Sequence, residues 1–128
     1  VTPHAVDPAE PAEQEVLERV RGLCLALPGV TERLSHGEPA FFAGRQFLTF
    51  AVRHHDDRVA CWAAAPEGAQ QRWLGRDDGR FFRPPYVGGR GWIGVYLDRE
   101  QDWDDVAEIV EEAHRVVTAR RRPGGRSG

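Results

Sequence analysis

The sequence predicts an α+β domain: an antiparallel sheet with helices packed on one face. Three observations carry that expectation. Near the C-terminal end, Trp103, Val106, Val110, Ala113 and Val117 recur at helical spacing, an apolar stripe suited to lying on a sheet. Residues 46–52 and 58–64 read as two strands joined by the polar turn His54-His55-Asp56-Asp57. Residues 81–83 and 92–97 read as a second strand pair around a Pro/Gly-rich loop. Helix, strands, short helix, strands, helix is the order of a layered α+β domain rather than of repeated βαβ units.

Taken in order, residues 1–11 lack periodicity and are rich in Pro, Ala and acid, so a mobile tail is expected there. A helix over residues 13–26 follows from Val16, Val20, Leu23 and Leu27 on one face, and Leu27-Pro28-Gly29 stops it. Residues 31–37 read as a polar connection into a short apolar run at 39–42. In the first strand of the predicted hairpin, Leu48, Phe50 and Val52 share one face. Pro66-Glu67-Gly68 breaks the sheet ahead of a short helix over 69–74. The last helix has Asp102 as N-cap, Asp104 and Asp105 in its first turn, and Arg120, Arg121 and Arg122 at the opposite dipole end. Pro123-Gly124-Gly125 ends order, which makes residues 12–122 one domain and 123–128 a second tail.

Composition narrows the chemistry. At 128 residues and 41% hydrophobic content the chain is long enough for one self-supporting core. No stretch approaches the ~20 apolar residues of a membrane helix and no signal peptide opens the sequence, so a cytoplasmic protein without a membrane partner is expected. All 17 basic residues are arginine. Schiff-base catalysis and a Walker-type phosphate loop are therefore excluded. Serine occurs only at Ser35 and Ser127, which leaves few hydroxyl nucleophiles. Cys24 and Cys61 fall in apolar patterns and are expected buried and reduced. No Cys/His spacing suits zinc, and no cofactor is expected.

Three landmarks carry a family resemblance: Leu27-Pro28-Gly29-Val30-Thr31-Glu32 followed by His36-Gly37-Glu38-Pro39-Ala40-Phe41; Arg90-Gly91-Trp92-Ile93-Gly94-Val95-Tyr96-Leu97-Asp98; and the closing helix with Trp103, Val106 and Ala113-His114-Arg115. In this order, over residues 23–120, the chain resembles the MmcQ/YjbR-type family, small domains of CyaY-like two-layer fold. The resemblance implies a non-catalytic domain that binds DNA through paired wings, here the 54–57 turn and the 84–91 loop. Family members commonly carry a lysine before the Pro-Glu step. Ala63, Ala64 and Ala65 stand there instead, which removes a cation from the implied contact surface.

The residues themselves single out the segment from Arg80 to Leu97, with five aromatics, three arginines and no acid. Arg83 and Arg90 suit phosphates or a ligand carboxylate, and Tyr86 and Trp92 offer stacking faces. The plainer alternative keeps Phe81, Phe82 and Trp92 in the sheet core and the arginines as solvated rims; both stand for Arg83, Tyr86 and Arg90. The net charge of −3 opposes general affinity for a polyanion. His36 and Glu38, two apart on an extended segment, would face one side and serve as a hydrogen-bonded pair or a proton-handling pair. Three functions thus remain: a nucleic-acid-binding domain, a binder of a small aromatic ligand between the 36–38 segment and the tip loop, and an enzyme using His36 and Glu38.

Overall fold

A computed structural model describes residues 10–52, 58–76 and 79–119. The 54–57 turn, Asp77 and Asp78, Arg120 to Arg122, the 123–128 tail and residues 1–9 of the predicted N-terminal tail lie outside the described residues. Helix α1 spans Glu10–Leu25 and starts three residues ahead of the predicted position. Val20 and Cys24 are fully buried, and Val16, Leu17 and Leu23 pack beside them, as the spacing requires. Ala26 N–H still donates to the Gly22 carbonyl before Pro28 ends the run.

The polar connection expected at 31–37 is in fact the sheet's edge. Strands β1 (Thr31–Ser35) and β2 (Glu38–Ala43) form a hairpin with Ser35 opposite Glu38. His36 and Gly37 are its two turn residues, at φ 52° and 82°. Both signs are positive, the type I′ geometry that matches strand twist, and glycine adopts it without penalty. The strand escapes a pattern reading because an edge position buries little: Leu34 is 75% exposed. Its charged residues protect the edge, and Arg21 on α1 holds Glu32 through two bonds of 2.9 Å.

β3 (Arg45–Val52) and β4 (Val59–Ala63) continue the sheet, followed by β5 (Phe81–Phe82) and β6 (Ile93–Tyr96). The strand order is β1-β2-β3-β4-β6-β5, and every pairing is antiparallel. Between β2 and β3 the register slips, with Phe41 opposite Leu48 but Phe42 opposite Gln46. This bulge leaves Phe47 as the extra residue and allows it to share the inner side with Leu48. Phe47 then meets the His114 ring edge-on at 5.7 Å.

Register sorts the two faces. Phe50 pairs with Cys61 and Cys61 with Val95, and Val95 pairs with Phe81, whose ring lies 5.3 Å from Trp73 of helix α2 (Ala69–Leu74). That row belongs to the helix-covered face and joins Val106, Ile109, Val110 and Ala113 of helix α3 (Trp103–Thr118) in one core. The helices pack on one side, as predicted. Thr49, Trp62 and Gly94, directly opposite one another, form the alternate row on the other face.

Asp102 caps α3 by accepting from the backbone N–H groups of Asp104 and Asp105, as the sequence predicts. An ion pair and a hydrogen bond join α2 to α3: Glu112 accepts from Arg72 at 2.8 Å and from the Trp73 indole at 3.3 Å. Both cysteines are free and buried. Burial pushes the Cys61 thiol up to about 12, and burial first, with Cys61 nearby second, raises Cys24 further. Among the described residues, no helix is long and apolar enough to cross a membrane.

Asp98, just after β6, accepts from Arg58 Nε at 2.7 Å and Nη2 at 2.8 Å, and from Val59 N at 3.3 Å. The Arg58 bonds, then the Val59 N–H, hold its carboxyl below the ordinary 3.8 despite partial desolvation. A depressed folded-state value means the unfolded chain takes up the proton first as acid is added. The stabilisation is therefore full above the ordinary value and is lost as pH falls through the folded one. Asp98→Asn is expected to cost about 1 kcal/mol at neutral pH, solvent screening having been allowed for. In urea titrations the difference from wild type should shrink to nothing at strongly acid pH; a pH-independent difference would contradict it.

Candidate ligand-binding site

The loop between β5 and β6 is built locally and then clamped. Tyr86 sits at φ 66°, and Val87 N–H donates back to the Pro85 carbonyl at 2.6 Å, so Tyr86 is the apex of a γ-turn of the rarer sign. A short 3-10 turn follows at Gly88–Arg90. The clamp is Gln70 on α2, only 3% exposed. Its amide nitrogen donates to the Gly88 carbonyl at 2.9 Å and the Trp92 carbonyl at 2.6 Å, while its oxygen faces Arg83 Nη1 at 3.4 Å. The Arg83 stem lies across Gly88, where an added Cβ would come within 2.6 Å of Arg83 Cγ. Glycine is required there for close approach.

Beneath this loop lies a cavity of about 740 Å³. Thr49, Ala51 and Trp62 of the helix-free sheet face contribute to its lining. One end receives Ser35, His36 and Glu38 from the β1–β2 hairpin. The other receives Arg45 and Gln46 from the start of β3, with Tyr86, Val87, Arg90 and Trp92 from the loop. Val116 and Val117 of α3 also border it.

The sequence-predicted residues divide in their placement. Tyr86 is 86% exposed at the rim, and Arg90 is exposed with its guanidinium 5.6 Å from the Trp92 ring centre. Arg83 is exposed but does not line the cavity. Neither Arg83 nor Arg90 has an ion pair among the described residues. Arg80, the third arginine of the segment, turns inward to Asp105 at 2.9 Å. Trp92 corrects the expectation of a presented stacking face: it is 7% exposed and lines the cavity. The reason is strand parity, because Trp92 precedes the inward Ile93 and falls on the opposite face at a site the loop covers.

His36 and Glu38 are also corrected. They do not lie on one extended strand, since His36 is a turn residue and Glu38 opens β2. Glu38 accepts from Val52 N at 3.3 Å, which ties the hairpin to β3, while His36 is exposed at the tip. Both line the cavity, at the end opposite the tip loop. Sequence reasoning missed Gln70, Arg45, Thr49 and Trp62. For Trp62 the alternation about Cys61 was the available signal; a polar residue in a short helix gives none for Gln70.

Six antiparallel strands with helices on one face define a two-layer α+β sheet domain. The chain belongs to the YjbR family, whose model matches residues 25–116. The Deinococcus radiodurans protein DR2400, which carries a DUF419 domain, has a similar structure, with a TM-score of 0.69. The likeness covers 85% of this chain and 87% of that one at 15% identity, so it speaks for the fold. Among curated proteins none matches.

Proposed function

We propose that this protein is a non-catalytic domain that binds a small, planar aromatic compound in the cavity between the β1–β2 hairpin and the 83–92 loop. The observation that carries the reading is the cavity itself. Its volume of about 740 Å³ and its tryptophans, Trp62 and Trp92, with a few polar groups at either end, have the make-up of a small-molecule site. The tryptophans supply flat apolar area, and the loop that covers them is held by Gln70 rather than left to solvent.

The nucleic-acid reading has one observation in its favour, the exposed Tyr86 between two exposed arginines. Two cations release few counterions, giving a salt slope of roughly −2 on duplex DNA, and the net charge of −3 works against it. The cavity reading needs no such compensation.

N-phenyl-1-naphthylamine, an uncharged fluorescent aromatic, tests it. Saturable binding with a blue-shifted emission is expected, and Thr49→Trp, which fills the cavity from its floor, should weaken it about tenfold or more, ~1.4 kcal/mol. Absence of saturation, or indifference to Thr49→Trp, would overturn the proposal. A labelled single-stranded oligonucleotide that binds at low salt and is lost on Arg83→Ala would turn the assignment to nucleic acid.

A further inference from the structure

The cavity is electrically lopsided, and its polarity says which aromatic compounds fit. It runs along β3 from Arg45 to Ala51, roughly 20 Å at strand rise. The hydrogen bond from Ala64 N to Phe47 O, and the pairing of Ala63 with Ile93, bring Trp92 to the Arg45 end of this line. Arg90 lies over Trp92, so Arg45 and Arg90, the arginines of the lining among the described residues, share one end. Both are exposed, and neither has a carboxylate partner among the described residues. Among the described residues, the only carboxylate of the lining is Glu38, at the far end, where it accepts from Val52 N.

Two guanidinium groups at one end of the cavity, one of them over an indole ring, suit one kind of ligand end: an anionic group attached to an aromatic ring. Arginine's planar fork matches carboxylate, sulfonate or phosphate oxygens, and the adjacent ring face takes the ligand's apolar body. The ordering cost is small because Trp92 is already buried and its carbonyl is held by Gln70.

We infer that the cavity selects aromatic acids, with the anionic group between Arg45 and Arg90 and the ring system against Trp92 and Trp62. This rests on the small-molecule reading above and adds the charge and orientation of the ligand. Two fluorescent probes separate the two claims. 8-Anilinonaphthalene-1-sulfonate and N-phenyl-1-naphthylamine share a ring system and differ by the sulfonate. The sulfonate probe is expected to bind about tenfold tighter at low ionic strength, with the preference shrinking as salt is raised. In the Arg45→Ala/Arg90→Ala double variant its affinity should fall about tenfold, while the uncharged probe changes less than about twofold. Arg19→Ala, which removes one positive charge on α1 away from the cavity, should alter neither. Thr49→Trp should weaken both, which distinguishes cavity binding from adsorption to exposed apolar surface.

Equal affinity for the two probes, or a sulfonate preference that survives the double variant, would overturn the aromatic-acid assignment while leaving the cavity reading intact. Failure of both probes to bind the folded protein would overturn both.

Discussion

Asp105→Ala is expected to lower the unfolding free energy by about 2–4 kcal/mol, the largest effect of any single charged-residue substitution proposed for this domain. Asp105 is 9% exposed, and its carboxylate accepts from Arg80 Nη2 at 2.9 Å and Arg76 Nη1 at 3.2 Å. Those arginines come from the segment after α2 and the entry to β5, so one carboxylate joins three elements. Each guanidinium also lies over a ring, Arg76 above Trp73 at 4.6 Å and Arg80 above Phe81 at 4.7 Å, and would keep its place with less charge to face. The Arg80 side chain is only 13% exposed, so water compensates poorly for the lost partner. Arg76 is 43% exposed and contributes less, which keeps the figure below that of a fully buried triad. Asp105 also stands in the first turn of α3, where a negative charge meets the positive helix end. Asp105→Asn retains an acceptor and should fall between wild type and alanine. Urea denaturation monitored by tryptophan fluorescence reads the order, and a cost for alanine below about 1 kcal/mol would show that the shared carboxylate is not what secures the β5 edge.

Gln70→Leu is expected to act on stability and ligand binding together. It preserves approximate volume but removes both N–H donors, leaving the Gly88 and Trp92 carbonyls without their buried partner. An unmade buried hydrogen bond costs about 1–3 kcal/mol, and here two lie within five residues of one loop. The loop supplies Tyr86, Val87, Arg90 and Trp92 to the cavity, so its release should weaken N-phenyl-1-naphthylamine binding by about tenfold. Amide exchange of residues 87–92 should quicken more than exchange in β3 or β4. Gln70→Glu makes the comparison sharper. Its carboxylate accepts from Arg83 but has no N–H to offer the two carbonyls, so it should fail as the leucine variant does. Rescue by glutamate would mean that the contact to Arg83, and not the carbonyl clamp, holds the loop.

Residues near one another in sequence were legible where their chemistry repeats. The α3 stripe and its Asp102 cap are local facts, and both are present. The short helix over 69–74 was marked by the Pro66-Glu67-Gly68 break and lies at Ala69–Leu74. The β1 strand was hidden because an edge strand with charged side chains shows no alternation. With it hidden, His36-Gly37 looked like extended chain rather than the turn of a hairpin. The Phe47 bulge was hidden for another reason: one added residue is visible only against the partner strand.

The candidate site divides along the same line. Arg90 and Tyr86 stand out from the loop's own sequence, a cationic and aromatic run without acids, and both are exposed at the cavity rim. That Trp92 falls on the cavity side, opposite Ile93, depends on its parity relative to β4, some 30 residues earlier. That Arg45 shares its end of the cavity depends on how β3, β4 and β6 align. Sequence alone determined the helices, most strands and the charged aromatic loop, because periodicity and turn preference act over a few residues. Tertiary structure decided which of those residues face one another across a cavity, because strand register and the Gln70 clamp join segments that no local pattern relates.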